Sequence, residues 1–313
     1  MMTYSDQIDK SHLYSMFFAP RGYVRLANLG MRIAASYLSP FDNLIGLVGE
    51  GGSGKSMLIK GMFPGLELTN DDEGVNIRPL PILSVGENAG GFYSAHTYHM
   101  DVRFESAFTQ MHLLASAILE ALDLGKRVIV EHFELIYPFL ERNANLLIGV
   151  GEEIIITRPT LFGPEPQDIA EIVFRSIGYR RMAHTAEDLC EYYLKHVAQS
   201  NEAYMHSDVR HGFVLSFQNK PGIDLDKMES AVNEMISKDI VISYLDDNHV
   251  LIGDQEHVCT GPRIHVRSTG EIKGFALNKE FAVEPDTGRY LMVGIVGERA
   301  AMRIKDLNRI MTP

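Results

Sequence analysis

The sequence predicts an α/β domain built on a mostly parallel sheet, followed by an α+β domain, and three observations lead there. Apolar strand-like runs alternate with helix-period segments as far as about residue 157. The Pro- and Gly-dense stretch from Arg158 to Pro166 then separates two strongly patterned regions. Beyond it, helix-period segments lie among shorter strand-like runs. A chain of 313 residues with 45% hydrophobic content has material for two cores. The domains are therefore expected at 1–166 and 167–313, with a junction just after the helix Gln167–Ile177 as the alternative.

Residues 10–40 carry Leu13, Met16, Phe17, Val24, Leu26, Leu29, Ile33 and Ala34 at helical spacing, broken at Pro20-Arg21-Gly22. Helix, turn, helix is the expectation. Asn43 to Val48 reads as a strand and leads into Gly49-Glu50-Gly51-Gly52-Ser53-Gly54-Lys55-Ser56, a complete G-x-x-x-x-G-K-S run with a helix-like segment after it. In that context the glycines let backbone N–H groups turn inward around phosphate oxygens. Lys55 brings a cation to the terminal phosphates, and the Ser56 hydroxyl can hold Mg²⁺. Binding of a nucleoside triphosphate, ATP with Mg²⁺, is the expected chemistry.

That helix should end near Gly61–Gly65, and a short strand Leu66–Thr69 should deliver Asn70-Asp71-Asp72-Glu73-Gly74 to the carboxyl end of the sheet. Asp71 and Asp72 are candidates to take or orient a proton of a phosphoryl acceptor. The same cluster also suits a solvated turn. Pro79–Gly86 reads as a strand, Glu87–Tyr98 as a loop over the nucleotide, and Phe104–Ala121 as an amphipathic helix stopped at Gly125. Lys126–His132 reads as a buried strand delivering Glu131 for a water-mediated metal contact. Asn145–Val150 and Glu153–Thr157 are two further strands across a tight turn, and Gln167–Ile177 is a helix.

In the second half, His184 and Asp188 are four residues apart in a helix-period segment and share a face. Cys259 and His265 flank a short Gly-Pro loop. Together they form an N, O, S, N set that tetrahedral Zn²⁺ accepts, although the helical pair also suits an ordinary hydrogen bond. His206 with His211 is a rival pairing in a turn and strand.

The formal net charge of −12 argues against an extensive cationic surface for unspecific nucleic-acid binding. From Arg263 onward the balance turns mildly basic, which suits either a local nucleic-acid patch or a solvated face. The two cysteines, Cys190 and Cys259, are too few for a disulfide framework and suit a reducing compartment. No apolar run approaches about eighteen residues, and the first residues do not read as a secretory leader. A cytoplasmic protein without membrane attachment is expected. The chain contains no internal repeat.

His184-Thr185-Ala186-x-x-Leu189 and Cys259-x-Gly261-x-x-x-His265-Val266-x-x-Thr269-Gly270-Glu271-Ile272 resemble the paired H-x-x-x-H and C-x-x-x-H motifs of the second additional domain of alanyl- and threonyl-tRNA synthetases. The resemblance spans about residues 178–303, including Tyr290–Ala301 as the closing segment. It implies an editing-type domain holding Zn²⁺ on His184, Asp188, Cys259 and His265, with an amino acid or aminoacyl-tRNA as partner. Asp188 stands where that family has a second His, and the Cys-to-His spacing is two residues longer; a carboxylate is an accepted zinc ligand. The N-terminal half resembles the uridine kinase group of phosphate-loop NTPases, through Leu68-Thr69-Asn70-Asp71-Asp72 and Arg127-Val128-Ile129-Val130-Glu131.

Three functions follow as expectations. The first is a small-molecule kinase using Lys55, Ser56, Glu131 and Asp71 or Asp72. The second is a zinc-dependent aminoacyl-tRNA deacylase under nucleotide control. The third is a nucleotide-gated binder without catalysis.

Overall fold

A computed structural model describes residues 14–69, 80–85, 96–159 and 163–297. The acidic cluster with Asp71 and Asp72, most of the loop expected at 87–98 and the end of the Tyr290–Ala301 segment lie outside the described residues. The chain divides into two compact units. One comprises residues 24–175 with the N-terminal stretch through Phe17, and the other Phe18–Tyr23 with everything from Ser176 onward.

The first unit is a six-stranded sheet. Its strands are β1 (Tyr14–Phe18), β2 (Leu44–Val48), β3 (Thr97–Asp101), β4 (Arg127–Glu131), β5 (Leu146–Val150) and β6 (Glu153–Thr157), in the order β1-β6-β5-β2-β4-β3. β2 pairs in parallel with β4 and β5, β3 pairs in parallel with β4, and β5 and β6 form an antiparallel pair. Every residue of β2 and of β5 is buried, as a sheet covered on both faces requires. The chain builds β3 and β4 on one side of β2 and then crosses to β5 on the other. That reversal makes the carboxyl end of β2 a topological switch point, where open α/β sheets collect ligands.

Helices α1 (Tyr23–Tyr37) and α2 (Lys55–Met62) cross at two glycines. A Cβ on Gly30 would strike the Leu58 carbonyl, and one on Gly61 would strike the Ala27 carbonyl. Helices α3 (Val102–Glu105), α4 (Met111–Asp123) and α5 (Phe133–Leu140) also belong to this unit, with Phe133 packed against Gly46 on β2.

Several local expectations are corrected. Residues 14–18 form an edge strand rather than a helix, because the run Tyr-Ser-Met-Phe-Phe fits a pleated surface and pairs with β6. Leu66–Thr69 is not a strand: the Thr69 N–H goes to His99 Nδ1 at 3.1 Å instead of a ladder. Pro81–Ser84 is a 3₁₀ turn, not a strand, with Pro81 fixing its first residue. The helix expected from Phe104 is split. Asp101 caps α3 by accepting from Phe104 N at 3.1 Å, α4 begins only at Met111, and Phe108 stays exposed. β3 and α5 were not anticipated. The helix expected at 167–177 extends as α6 (Pro166–His196), so residue 166 marks its first turn and the division at 175/176 falls within it.

In the second unit, the α6 segment from Ser176 accompanies an antiparallel sheet. The hairpin β7 (Tyr204–Val209) and β8 (Gly212–Phe217) continues through β14 (Tyr290–Ile295) to β12 (Ala276–Leu277), and β13 (Ala282–Val283) also pairs with β14. A three-stranded meander of β9 (Ile242–Asp246), β10 (His249–Ile252) and β11 (Gln255–Val258) is separate. Helix α7 (Leu225–Ser237) is capped by Asp224, which accepts from Lys227 N at 3.1 Å. The core joins Ala186, Leu189 and Cys190 of α6 to Phe213, Leu215 and Phe217 of β8 and Met228 and Val232 of α7. The molecule is thus mixed α/β, with a mostly parallel six-stranded sheet and separate antiparallel sheets.

Candidate nucleotide loop and candidate metal centre

β2 ends at Val48, and the glycine-rich turn that follows enters α2 through Gly54, which adopts φ 97° as the helix N-cap. Only glycine takes that conformation without strain. Lys55 and Ser56 therefore stand in the first turn of α2. Lys55 Nζ donates to the carbonyls of Gly49 at 3.1 Å and Glu50 at 2.9 Å and lies 3.7 Å from Glu131 Oε2. Ser56 Oγ donates to Glu131 Oε1 at 2.9 Å.

Glu131 ends β4, buried beside this turn. Because Thr69 N–H donates to His99 Nδ1, the ring proton sits on Nε2, which donates to Glu131 Oε1 at 3.2 Å. Burial alone would raise the Glu131 carboxyl. His99, Lys55 and Ser56 outweigh it and hold the pKa at about 2. A fixed carboxylate thus faces a cation and a hydroxyl at the switch point.

The residues expected from the loop, Gly49 through Ser56, and Glu131 come together. Asp71 and Asp72 lie outside the described residues. Asp101, His99 and Arg103 were missed. Asp101 is the register partner of Glu131 across β3 and β4, and a Cβ on Gly51 would lie 3.6 Å from an Arg103 guanidinium nitrogen. The signal was present: Thr97-Tyr98-His99-Met100-Asp101 is a short run ending in an acid, as Arg127–Glu131 is.

In the second unit all four expected metal ligands converge. Single donor atoms of His184, Asp188, Cys259 and His265 lie within 4.8 Å of one another. α6 supplies His184 and Asp188 one turn apart, while the turn after β11 brings in Cys259 and His265. His184 Nε2 is 3.2 Å from Cys259 Sγ, His265 Nε2 is 2.8 Å from Asp188 Oδ2, and Cys259 Sγ is 3.8 Å from His265 Nε2. The Pro262 carbonyl lies 3.1 Å from His265 Nδ1, which fixes the proton there and turns Nε2 inward as a ligand. Gly261 N–H donates to Cys259 Sγ at 3.3 Å. Val266 N–H donates to Thr185 Oγ1 at 3.1 Å, tying this turn to α6.

The donor set fits Zn²⁺: two imidazoles, a thiol and a carboxylate. Burial lowers the His184 pKa, which favours the neutral ring that a metal ligand needs. Burial would raise Asp188, but His184 and His265 overcome it and keep the carboxyl below its usual range. Burial and the Asp188 charge push the Cys259 thiol far up, a pressure that a bound cation reverses.

His184, Asp188 and Cys259 of this set line a cavity of about 290 Å³ together with Glu187, Glu191, Lys195, Tyr204, His206 and His257. The rival His206–His211 pair does not act together. His206 Nδ1 is 3.3 Å from both Glu187 and Glu191, whereas His211 stacks on Tyr179 with centroids 3.8 Å apart. Of the late basic residues, Arg263 lies over Tyr244, Lys279 pairs with Asp226 and Glu229, and Arg289 holds Ser216 and Gln218.

No family model matches the chain, and no curated protein matches it. Among the described residues, no helix is long and apolar enough to cross a membrane.

Proposed function

We propose that the protein binds Mg²⁺ and a nucleoside triphosphate on residues 49–56 and transfers the terminal phosphoryl group to a small acceptor. One observation carries the reading: Lys55 and Ser56 meet Glu131 at the sheet's switch point. With nucleotide bound, Lys55 would exchange the Gly49 and Glu50 carbonyls for the phosphates, and Ser56 would offer its hydroxyl to the cation. Glu131, held ionised, would contribute a carboxylate beside that cation. Asp71 or Asp72 takes the acceptor proton, and Asp101 adds a carboxylate at the neighbouring strand end. The resemblance to the uridine kinase group supports this assignment. The test is transfer of γ-phosphate label from ATP to pooled amino acids, nucleosides and tRNA. Wild type should label an acceptor and Lys55→Met should not; equal labelling by both would sink the proposal.

The convergence of His184, Asp188, Cys259 and His265 favours a second activity, zinc-dependent hydrolysis of an aminoacyl ester. These residues would hold Zn²⁺, which acidifies bound water, and the acidic cavity would receive the amino-acid ammonium group. The resemblance to the synthetase editing domain supports that reading. Deacylation of aminoacyl-tRNA that survives Cys259→Ala would remove the metal from it.

A further inference from the structure

We infer that the second unit holds a second divalent cation, on Asp188, Glu191 and His257, beside the four-donor set that shares Asp188. This goes beyond both activities proposed above.

His257 lies on β11 and is only 5% exposed, yet neither ring nitrogen has a hydrogen-bond partner. A buried imidazole without a partner is costly unless something occupies the space it faces. It lines the same cavity as Asp188 and Glu191, and ligand atoms of the three lie within 4.8 Å of one another. His257 Nε2 is 3.9 Å from Glu191 Oε2. That is too long for a hydrogen bond, but two ligands each about 2 Å from one ion stand roughly 3–4 Å apart.

The neighbours select these three. His206 Nδ1 faces Glu191 Oε1 at 3.3 Å and Tyr204 also bonds this carboxyl, while Oε2 lies on the His257 side. Glu187 is engaged by Arg21 at 2.7 Å and by His206. Asp188 belongs to both donor sets and is the one carboxylate able to bridge them. Two carboxylates and an imidazole suit a first-row divalent cation such as Mn²⁺, Fe²⁺, Co²⁺ or Zn²⁺. The absence of sulfur from this set distinguishes it from the site containing Cys259.

The experiment is titration of the metal-stripped, full-length protein with Co²⁺, followed by absorbance and by metal content after desalting. The site with Cys259 should give a thiolate-to-cobalt charge-transfer band with the first equivalent. A second equivalent should then bind without increasing that band. His257→Ala and the isosteric Glu191→Gln should each bind one equivalent and retain the band, with circular dichroism confirming the fold. Saturation of wild type at one equivalent would overturn the second site while leaving the first. Two equivalents bound by both folded variants would overturn the assigned ligands. An absent charge-transfer band with no bound cobalt would overturn both sites.

Discussion

Ser56 Oγ, in the first turn of α2, donates to Glu131 Oε1 at 2.9 Å across the carboxyl ends of β2 and β4. The hydroxyl that would hold Mg²⁺ is thereby aimed at the carboxylate that would orient its water. Ser56→Ala removes the hydroxyl proposed to hold Mg²⁺ and leaves Glu131 with His99 and Lys55. Nucleotide affinity should fall about tenfold with Mg²⁺ present, equivalent to about 1.4 kcal/mol, and change little in EDTA. Titration calorimetry with a non-hydrolysable triphosphate in both buffers checks this. An equal loss in both would assign Ser56 to the fold.

The depressed Glu131 pKa makes a statement about acid stability. Well above pH 4.5, its ordinary value, the carboxyl is ionised folded or unfolded, and its contribution is fully present. As pH falls toward about 2 the unfolded chain takes up the proton first, and the contribution disappears. A gap of this size corresponds to about 3 kcal/mol. Glu131→Gln should therefore flatten the fall in urea midpoint across that window. An unchanged slope would show that other carboxylates set it.

The glycine-rich turn was legible because its spacing is local: eight consecutive residues determine where Lys55 and Ser56 stand. β4 and β5 were legible as continuous apolar runs, since both faces are covered. Residues 14–18 were not, because five aromatic-rich residues satisfy helical and strand spacing alike and the edge of β6 decided between them. The Leu66–Thr69 reading failed on one hydrogen bond, from Thr69 to a histidine 30 residues away. The four candidate metal ligands could be named as two short motifs. His257 could not, because its burial and missing partners exist only once β11 pairs with β10.

Arg21 is a further feature invisible in sequence. It is 2% exposed, pairs with Glu187 at 2.7 Å and hydrogen-bonds Asp208. Burial alone would lower its pKa, but Glu187 and Asp208 raise it above the ordinary value. Arg21→Met keeps much of the volume and removes the charge, stranding two carboxylates near the cavity. Breaking such a buried pair costs roughly 3–5 kcal/mol. Urea unfolding followed by circular dichroism should show the unfolding transition that reports this unit moving to lower urea; a shift equivalent to under about 1 kcal/mol would mean that water reaches the two acids.

Metal removal should be visible as lost stability. His184 and Asp188 lie on α6, Cys259 and His265 on the turn after β11, so a shared cation would fasten the two. Free Zn²⁺ at about a thousandfold over its dissociation constant would stabilise by about 4 kcal/mol. Melting with Zn²⁺ or with chelator should differ by several degrees for wild type and by clearly less for Cys259→Ala, which keeps only Asp188, Glu191 and His257 as a complete set. Equal sensitivity in both proteins would locate the metal elsewhere.

The last prediction concerns two glycines in opposite settings. Gly61 on α2 faces the Ala27 carbonyl so closely that a Cβ has no space, and the obstacle is backbone rather than a flexible side chain. Gly61→Ala must move α1 from α2, at a cost of about 1–3 kcal/mol. Because α2 carries Lys55 and Ser56 at its other end, the shift should also weaken nucleotide binding. Gly178 lies inside α6 with nothing within 4 Å of an added Cβ. Gly178→Ala should stabilise by roughly 0.5–1 kcal/mol through helix propensity and the unfolded chain, with nucleotide affinity unchanged. Measuring melting temperature and nucleotide affinity on both variants separates the effects. If Gly61→Ala loses stability but keeps full affinity, the α1–α2 crossing supports the fold without positioning the loop.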